Sequence, residues 1–184
     1  MSRLPLLNTE DLPPQDRDVV ATGMNLHRAL AHSPGMARMS RQLGLYLRNT
    51  SGLDARLREL AILQVAYASR SAYEYSHHLK IARDLGMPES DLDAIARETA
   101  GDASDLDALA RLVLRAAREA VSGPAISAAT FAALAGALAP DHLVDLVFAI
   151  TFYCGFVRLT GSLGLEVEPS YHAYLNRFPL PEPA

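Results

Sequence analysis

The stretch LVFAITFYCGFV, residues 146–157, sits inside a helical pattern running from 141 to 164 and is apolar almost all the way round. A helix without a polar face must be covered on all sides, either in the middle of a domain or across a subunit boundary. The run itself, at twelve residues, is too short to span a bilayer. The rest of the chain agrees with a helical reading. Alanine and leucine dominate, β-branched residues are scattered, and no strand alternation appears, so the expected fold class is all-α with about eight helices. At 184 residues the chain suffices for one domain with a sizeable core.

The expected organisation is an extended arm over residues 1–13, a helical domain over 14–168 and a proline-rich tail over 169–184. The tail would pack along the surface or onto a neighbour. A first helix is expected through QDRDVVATGMNLHRALAH. Ser33-Pro34 reads as an N-cap followed by proline at the first helical position. Asp54 stands at the start of ARLRELAILQVAYASR, and the helix after it stops at Gly86 with Pro88 beyond. Seventeen basic against 21 acidic residues, with no basic run, recommend neither nucleic acid nor an anionic membrane as partner. The single cysteine, Cys154, removes an internal disulfide framework and a Cys-rich zinc site. The polar, proline-rich start MSRLPLLNTEDLPPQ has no export signal, and a cytoplasmic protein is expected.

Polar groups on apolar faces mark the candidate site. Glu59 shares a stripe with Ile62, Leu63 and Ala66, at offsets of three, four and seven, while Arg56 and Arg58 point elsewhere. A buried acid must be protonated, paired or hydrogen-bonded, and a bond to a neighbouring helix's backbone or to an arginine across the core would suffice. On the next helix Ser71, Glu74 and His78 fall within an arc of roughly 60°, facing inward with Ala82 and Leu85. Ser71-x-x-Glu74 is also a capping box, which accounts for both residues without any chemistry. It leaves His78 unexplained. His77, about 100° away, belongs at the edge of the site or on the surface. Glu74 and His78 at i, i+4, with Glu59, are compatible with a metal, but H-E-x-x-H and a paired Glu-x-x-His are absent and no metal is expected. Tyr67, Tyr73 and Tyr75 are candidates for a pocket wall or for ordinary core and rim.

These residues carry a family resemblance. The segment from ALAHSPGM to SDLDAI, with LDARLRELAIL followed by YEYSHHLKIARDLGM, resembles the carboxymuconolactone decarboxylase superfamily, which includes the AhpD-like proteins. HLVDLVFAITFYCGFVRLTGSLGLEVEP is similar to that family's last long helix, and the likeness covers roughly residues 25–168. It implies an AhpD-like helical domain assembled as a homo-oligomer (dimer, trimer or hexamer), which would give the helix at 141–164 a partner surface. The peroxidase branch uses a Glu and a C-x-x-C-x-x-x-H run, and the matching positions here are Glu59, Ser71, Glu74 and His78. Both sulfurs are missing, so dithiol peroxidase chemistry is not expected. The decarboxylase-like branch keeps Glu and His, although many of its members have cysteine where Ser71 stands.

The reading this supports is a lyase or isomerase without cofactor, acting on a small organic acid or lactone by proton transfer. His78 would be the acid/base, Glu59 its orienting partner and Glu74 the second acid, with Ser71, Tyr67, Tyr75 and His77 near the substrate. The alternatives are an AhpD-like oxidoreductase without a dithiol, and an oligomeric binding protein that keeps the fold without the chemistry.

Overall fold

Asp54 opens the central helix of the molecule: its carboxylate accepts the Leu57 N–H at 2.9 Å, and α3 runs Ala55–Ala68 from there. Every residue from Leu57 to Tyr67 is buried, Arg58, Glu59 and Gln64 included. Helix α3 is the hub because it has no face to offer water, and α4 (Ala72–Asp84), α5 (Glu89–Ala100), α6 (Ala108–Ser122) and α8 (Pro140–Leu163) pack around it. The computed structural model describes residues 2–181. Among these are nine α-helices, three short 3-10 helices and no strand; the remaining α-helices are α1 (Asn25–Leu30), α2 (Pro34–Asn49), α7 (Ala128–Ala135) and α9 (His172–Arg177).

The α3–α4 connection places the candidate residues. Arg70 takes a left-handed backbone, φ 52°, and the Ser71 N–H reaches back to the Ala66 carbonyl at 2.9 Å. The chain therefore reverses within three residues and α4 returns along α3. Helix α4 ends at Gly86, whose φ of 75° favours glycine, and the Met87 N–H closes on the Ala82 carbonyl.

One local expectation is corrected, and three local features gain detail. The first helix does not run continuously: a 3-10 segment, Pro14–Val20, ends in a turn at Gly23 (φ 71°) before α1 begins. Val19 and Val20 instead join Leu12, Ala31 and Ala37 in a small second core, so the helical pattern there was driven by local burial. Ser33 occupies the N-cap of α2 without a side-chain capping bond. The arm and the tail are tied down. Arg3 N–H meets the Leu163 carbonyl, Arg28 holds the Leu6 and Leu7 carbonyls, and Phe178 is part of the main core. Residues 182–184 of the expected tail lie outside the described residues.

Helix α8 is covered on one side only within the chain, which leaves the subunit-boundary alternative open. Leu146, Ala149, Ile150, Tyr153 and Val157 are buried, while Val144 and Phe148 are 64% and 41% exposed. Helices α3, α4, α6 and α7 supply most of the covered side, Tyr46 and Ser51 reach Asp145, and Val144 and Phe148 stay exposed among the described residues. Taken as a whole, the 24-residue helix is long and apolar enough to cross a membrane by length and composition, though its inner stripe belongs to the core.

Candidate active site

Glu59, Glu74 and His78 converge. Their meeting follows from the hairpin: Glu59 faces α4 from the middle of α3, and His78 faces back. His78 Nδ1 lies 2.7 Å from Glu59 Oε2, and Arg58 Nε–H donates to Glu59 Oε1 at 3.0 Å. Burial alone would raise the Glu59 pKa, but His78 and Arg58 outweigh it and hold the carboxyl below its ordinary value. An ionised Glu59 can only accept, so Nδ1 carries the proton and Nε2 is left to face the cavity. Arg58 also donates to the Leu47 carbonyl at 3.2 Å, one of the unpaired acceptors in the last turn of α2. The expectation that Arg58 points away fails because α3 is enclosed on all sides and the long side chain folds back on its neighbour.

Glu74 does not close a capping box. Ser71 sits at the N-cap of α4 without a side-chain bond, and Glu74 turns inward. Glu74 Oε2 is 3.8 Å from His78 Nε2, too far for a direct hydrogen bond, and Oε1 is buried with no partner among the described residues. Burial is the leading influence on Glu74 and raises its pKa above 4.5, against the pull of His78 and His77. A carboxyl that burial biases toward its neutral form, with an unpartnered oxygen beside an imidazole, is suited to donate a proton. The linkage has a defined sign. Folded Glu74 keeps its proton above the pH at which the unfolded chain loses it, so its contribution to stability is full below about pH 4.5 and is lost as pH rises through the folded value. Glu74→Gln should therefore flatten the fall of Tm on that side of the profile, as read by thermal melts from pH 4 to 8. An unchanged slope would show Glu74 ionised in the fold.

The cavity these groups line holds about 270 Å³, between α2, α4 and α8. Tyr153, from α8, stands edge-on to the His78 ring at 4.8 Å and lines the same space. Nothing in the sequence singled it out from its apolar run. Ser71, Tyr67 and Tyr75 are not in this wall. The two tyrosines pack edge to face at 5.6 Å on the far side of the hairpin, inside the core.

His77 is neither peripheral nor on the surface. It is buried, lines the cavity, and is stacked between Tyr73 and Tyr171 at 4.3 and 3.9 Å. Its Nδ1 donates to the Tyr73 carbonyl at 2.7 Å, and its Nε2 faces Glu168 Oε2 at 3.1 Å without hydrogen-bond alignment. Burial would raise the Glu168 pKa, but the His77 ring and the Asn25 N–H hold it down at about 2. Both ring nitrogens thus face oxygen atoms, the Tyr73 carbonyl and the Glu168 carboxylate. Tyr73 completes this cluster: it accepts the Leu26 N–H at 2.9 Å and donates to Glu168 Oε1 at 3.0 Å. Tyr73→Phe should cost about 1–3 kcal/mol in denaturant unfolding by orphaning a buried amide. A loss under 0.5 kcal/mol would mean Leu26 finds another acceptor.

Among the described residues no set of three or more His, Cys, Asp or Glu is placed to hold a metal ion. Cys154 is half-buried on α8 outside the cavity wall, and burial raises its thiol pKa.

The sequence model of the Carboxymuconolactone decarboxylase family matches residues 34–119, from the start of α2 through most of α6. Among solved structures, the AhpD core of a peroxidase-related protein from Ralstonia eutropha JMP134 superposes with a TM-score of 0.75 at 22% identity, covering 92% of this chain and 94% of that one. A peroxidase-related protein from Silicibacter sp. TM1040 gives 0.77 at 19% identity, covering 93% and 94%. No curated protein is matched. The matched segment carries the α3–α4 hairpin with Glu59, Glu74 and His78 and is similar to the carboxymuconolactone decarboxylase family, and the chain as a whole has an AhpD-like fold.

Proposed function

We propose that the protein is an enzyme of proton transfer at carbon, a decarboxylase- or isomerase-type catalyst for a small organic acid or lactone. The observation that carries this is the buried, unpartnered Oε1 of Glu74 beside the Nε2 of His78 in the wall of one cavity. In isomerisation, a substrate carbonyl accepts a hydrogen bond from the neutral Glu74, His78 Nε2 takes a proton from the adjacent carbon, and Glu59 stabilises the imidazolium formed. The imidazolium then returns the proton at the other end of the enol system. In decarboxylation the electron pair released with carbon dioxide passes into the same conjugated carbonyl. The Glu74 carboxyl then delivers its proton to the carbanion carbon, and water returns a proton to Glu74 before the next turnover.

The binding-protein alternative would have Glu74 consumed by its own helix start, and its carboxyl is turned the other way. The oxidoreductase alternative draws on the printed names of the structural neighbours, both peroxidase-related. It needs a thiol at the site, where this chain offers Ser71 and Glu74 in the two matching positions and keeps its one cysteine on α8. The deciding experiment incubates the protein in deuterium oxide with a panel of β,γ-unsaturated acids and lactones. Deuterium entering at carbon, followed by NMR, supports the proposal. Absence of exchange and carbon dioxide release, together with peroxide consumption that oxidises Cys154, would transfer the protein to the redox class.

Assembly belongs to the same proposal. An apolar groove of about 550 Å³ adjoins the cavity, with Met36, Met39, Leu43, Phe152 and Phe156 in its wall and no charged residue. Met36 and Met39 are 60% and 63% exposed, and with Val144 and Phe148 they form a face that a second copy of the chain, carrying the same surface, would cover. Sedimentation should give a multiple of 19.9 kDa, reduced to the single-chain mass by Met39→Glu with Phe148→Glu. A wild type already at the single-chain mass would overturn this assignment.

A further inference from the structure

The mouth of the cavity is cationic and has no countercharge. Arg41, Gly44 and Arg48 fall at offsets of three and seven on α2 and therefore share one face, the face that lines the cavity. The two guanidinium groups start from positions about 10 Å apart along the helix at ~1.5 Å per residue. Neither makes a hydrogen bond or a carboxylate contact within 4 Å among the described residues, unlike Arg38, which takes up Asp16 and Asp18 one turn before them. Arg41 feels Asp18 only across space.

Within the wall itself Glu74 is the one carboxyl, and it lies at the inner end. Glu59 and Glu168 stand behind the wall, already engaged by His78, Arg58, Tyr73 and Asn25. His27, further round the same wall, registers the imbalance: after burial, the charges of Arg41 and His77 push its pKa down. Arginines left unpaired at the entrance of a cavity with acid/base groups at its other end call for an anionic group on whatever enters. The planar guanidinium fork fits a carboxylate.

Gly44 supports this placement. It lies between the arginines, lines the cavity, and a Cβ added there would meet nothing within 4 Å. A glycine in a helix interior is unfavourable relative to other residues, and here its omission of a side chain keeps the passage between the arginines open.

We infer that the substrate is an organic acid with a free carboxylate remote from its reacting carbon, and that Arg41 and Arg48 hold that carboxylate at the cavity mouth while the reacting end meets Glu74 and His78. This rests on the proton-transfer reading of the site and narrows it: neutral lactones and esters are excluded as substrates.

The test measures binding, so it does not depend on turnover. Glutarate, its dimethyl ester and inorganic phosphate are titrated into the full chain by calorimetry, with the histidine ring resonances followed by NMR. Glutarate should bind and shift the His77 and His78 rings, and the diester should not. Arg41→Gln with Arg48→Gln should weaken glutarate binding about tenfold or more at unchanged Tm, since neither side chain has a partner to lose. Gly44→Leu should also weaken binding while raising Tm. Because the readout is binding, arginine-dependent glutarate binding in a protein that shows no exchange at carbon would overturn the proton-transfer reading and leave this assignment standing. Equal binding of acid and diester, tighter binding of phosphate, undiminished binding in the double arginine variant, or no glutarate binding at all would each overturn the inference.

Discussion

His78→Asn is expected to lower kcat/KM by about 10²–10⁴-fold on any substrate the protein turns over, with helix content and Tm close to those of the wild type. Asparagine is chosen because its amide N–H can stand where Nδ1–H stands and keep the bond to Glu59. What it removes is Nε2, the one nitrogen of that ring not engaged by Glu59 and the atom that faces the neutral Glu74 carboxyl at 3.8 Å. The loss would therefore be chemical and not structural. The pH profile of the wild type should carry a second signature. Glu74 acts only while protonated, and burial raises its pKa, so activity should fall on the alkaline side as Glu74 ionises. Glu74→Gln should remove that limb together with most of the rate. Wild-type-like kcat/KM in a folded His78→Asn protein would remove His78 from the mechanism.

What could be read from the sequence was whatever depends on one helix at a time. Ser71, Glu74 and His78 share a face because 3.6 residues per turn put them there, and the inward side of α4 follows from Ala82 on the same arc. The helix α3 could be placed from Asp54 onward for the same local reason. The capping box at Ser71–Glu74 is a local rule that lost: the carboxyl turns to the cavity, where it is buried beside His78, instead of back to its own helix start. Contacts made across long separations left no trace. Glu168 reaches His77 and Tyr73 from more than ninety residues away, from the last position of the expected helical domain, where no local pattern marks it. Tyr153 hides in a run whose apolar character speaks of burial and is silent about direction. Arg58 was misread because a helical wheel gives it an outward face, and α3 has none. Arg41 and Arg48 look like the solvent side of α2 until α4 and α8 close a cavity against them.

Glu59→Ala should destabilise the fold by about 3–5 kcal/mol, roughly 6–20 °C in Tm for a chain of this length. Arg58 is 3% exposed and Glu59 1%. Removing the carboxylate strands a guanidinium in the core with the Leu47 carbonyl as its remaining acceptor, and leaves the His78 Nδ1–H with none. The cost is thus that of an uncompensated buried charge, larger than the net worth of the pair. Two companions separate these quantities. Arg58→Met with Glu59→Ala removes both charges and should recover a good part of the loss, because an apolar pair can replace a buried ion pair at little cost. Glu59→Gln keeps an acceptor for Arg58 but offers His78 an N–H where it had a carboxylate. The ring must then accept at Nδ1 and carry its proton on Nε2, the wrong tautomer for a base. That variant should stay folded, within about 1–3 kcal/mol of the wild type, and lose turnover all the same. The pH dependence completes the argument. Glu59 is held below its ordinary value of 4.5, so its share of stability is present above that pH and lost as pH falls through the folded value. The acid limb of the Tm profile should therefore shrink in Glu59→Gln. If Glu59→Ala costs under 1 kcal/mol, Arg58 has found another partner and the buried triad is not what holds α3 against α4.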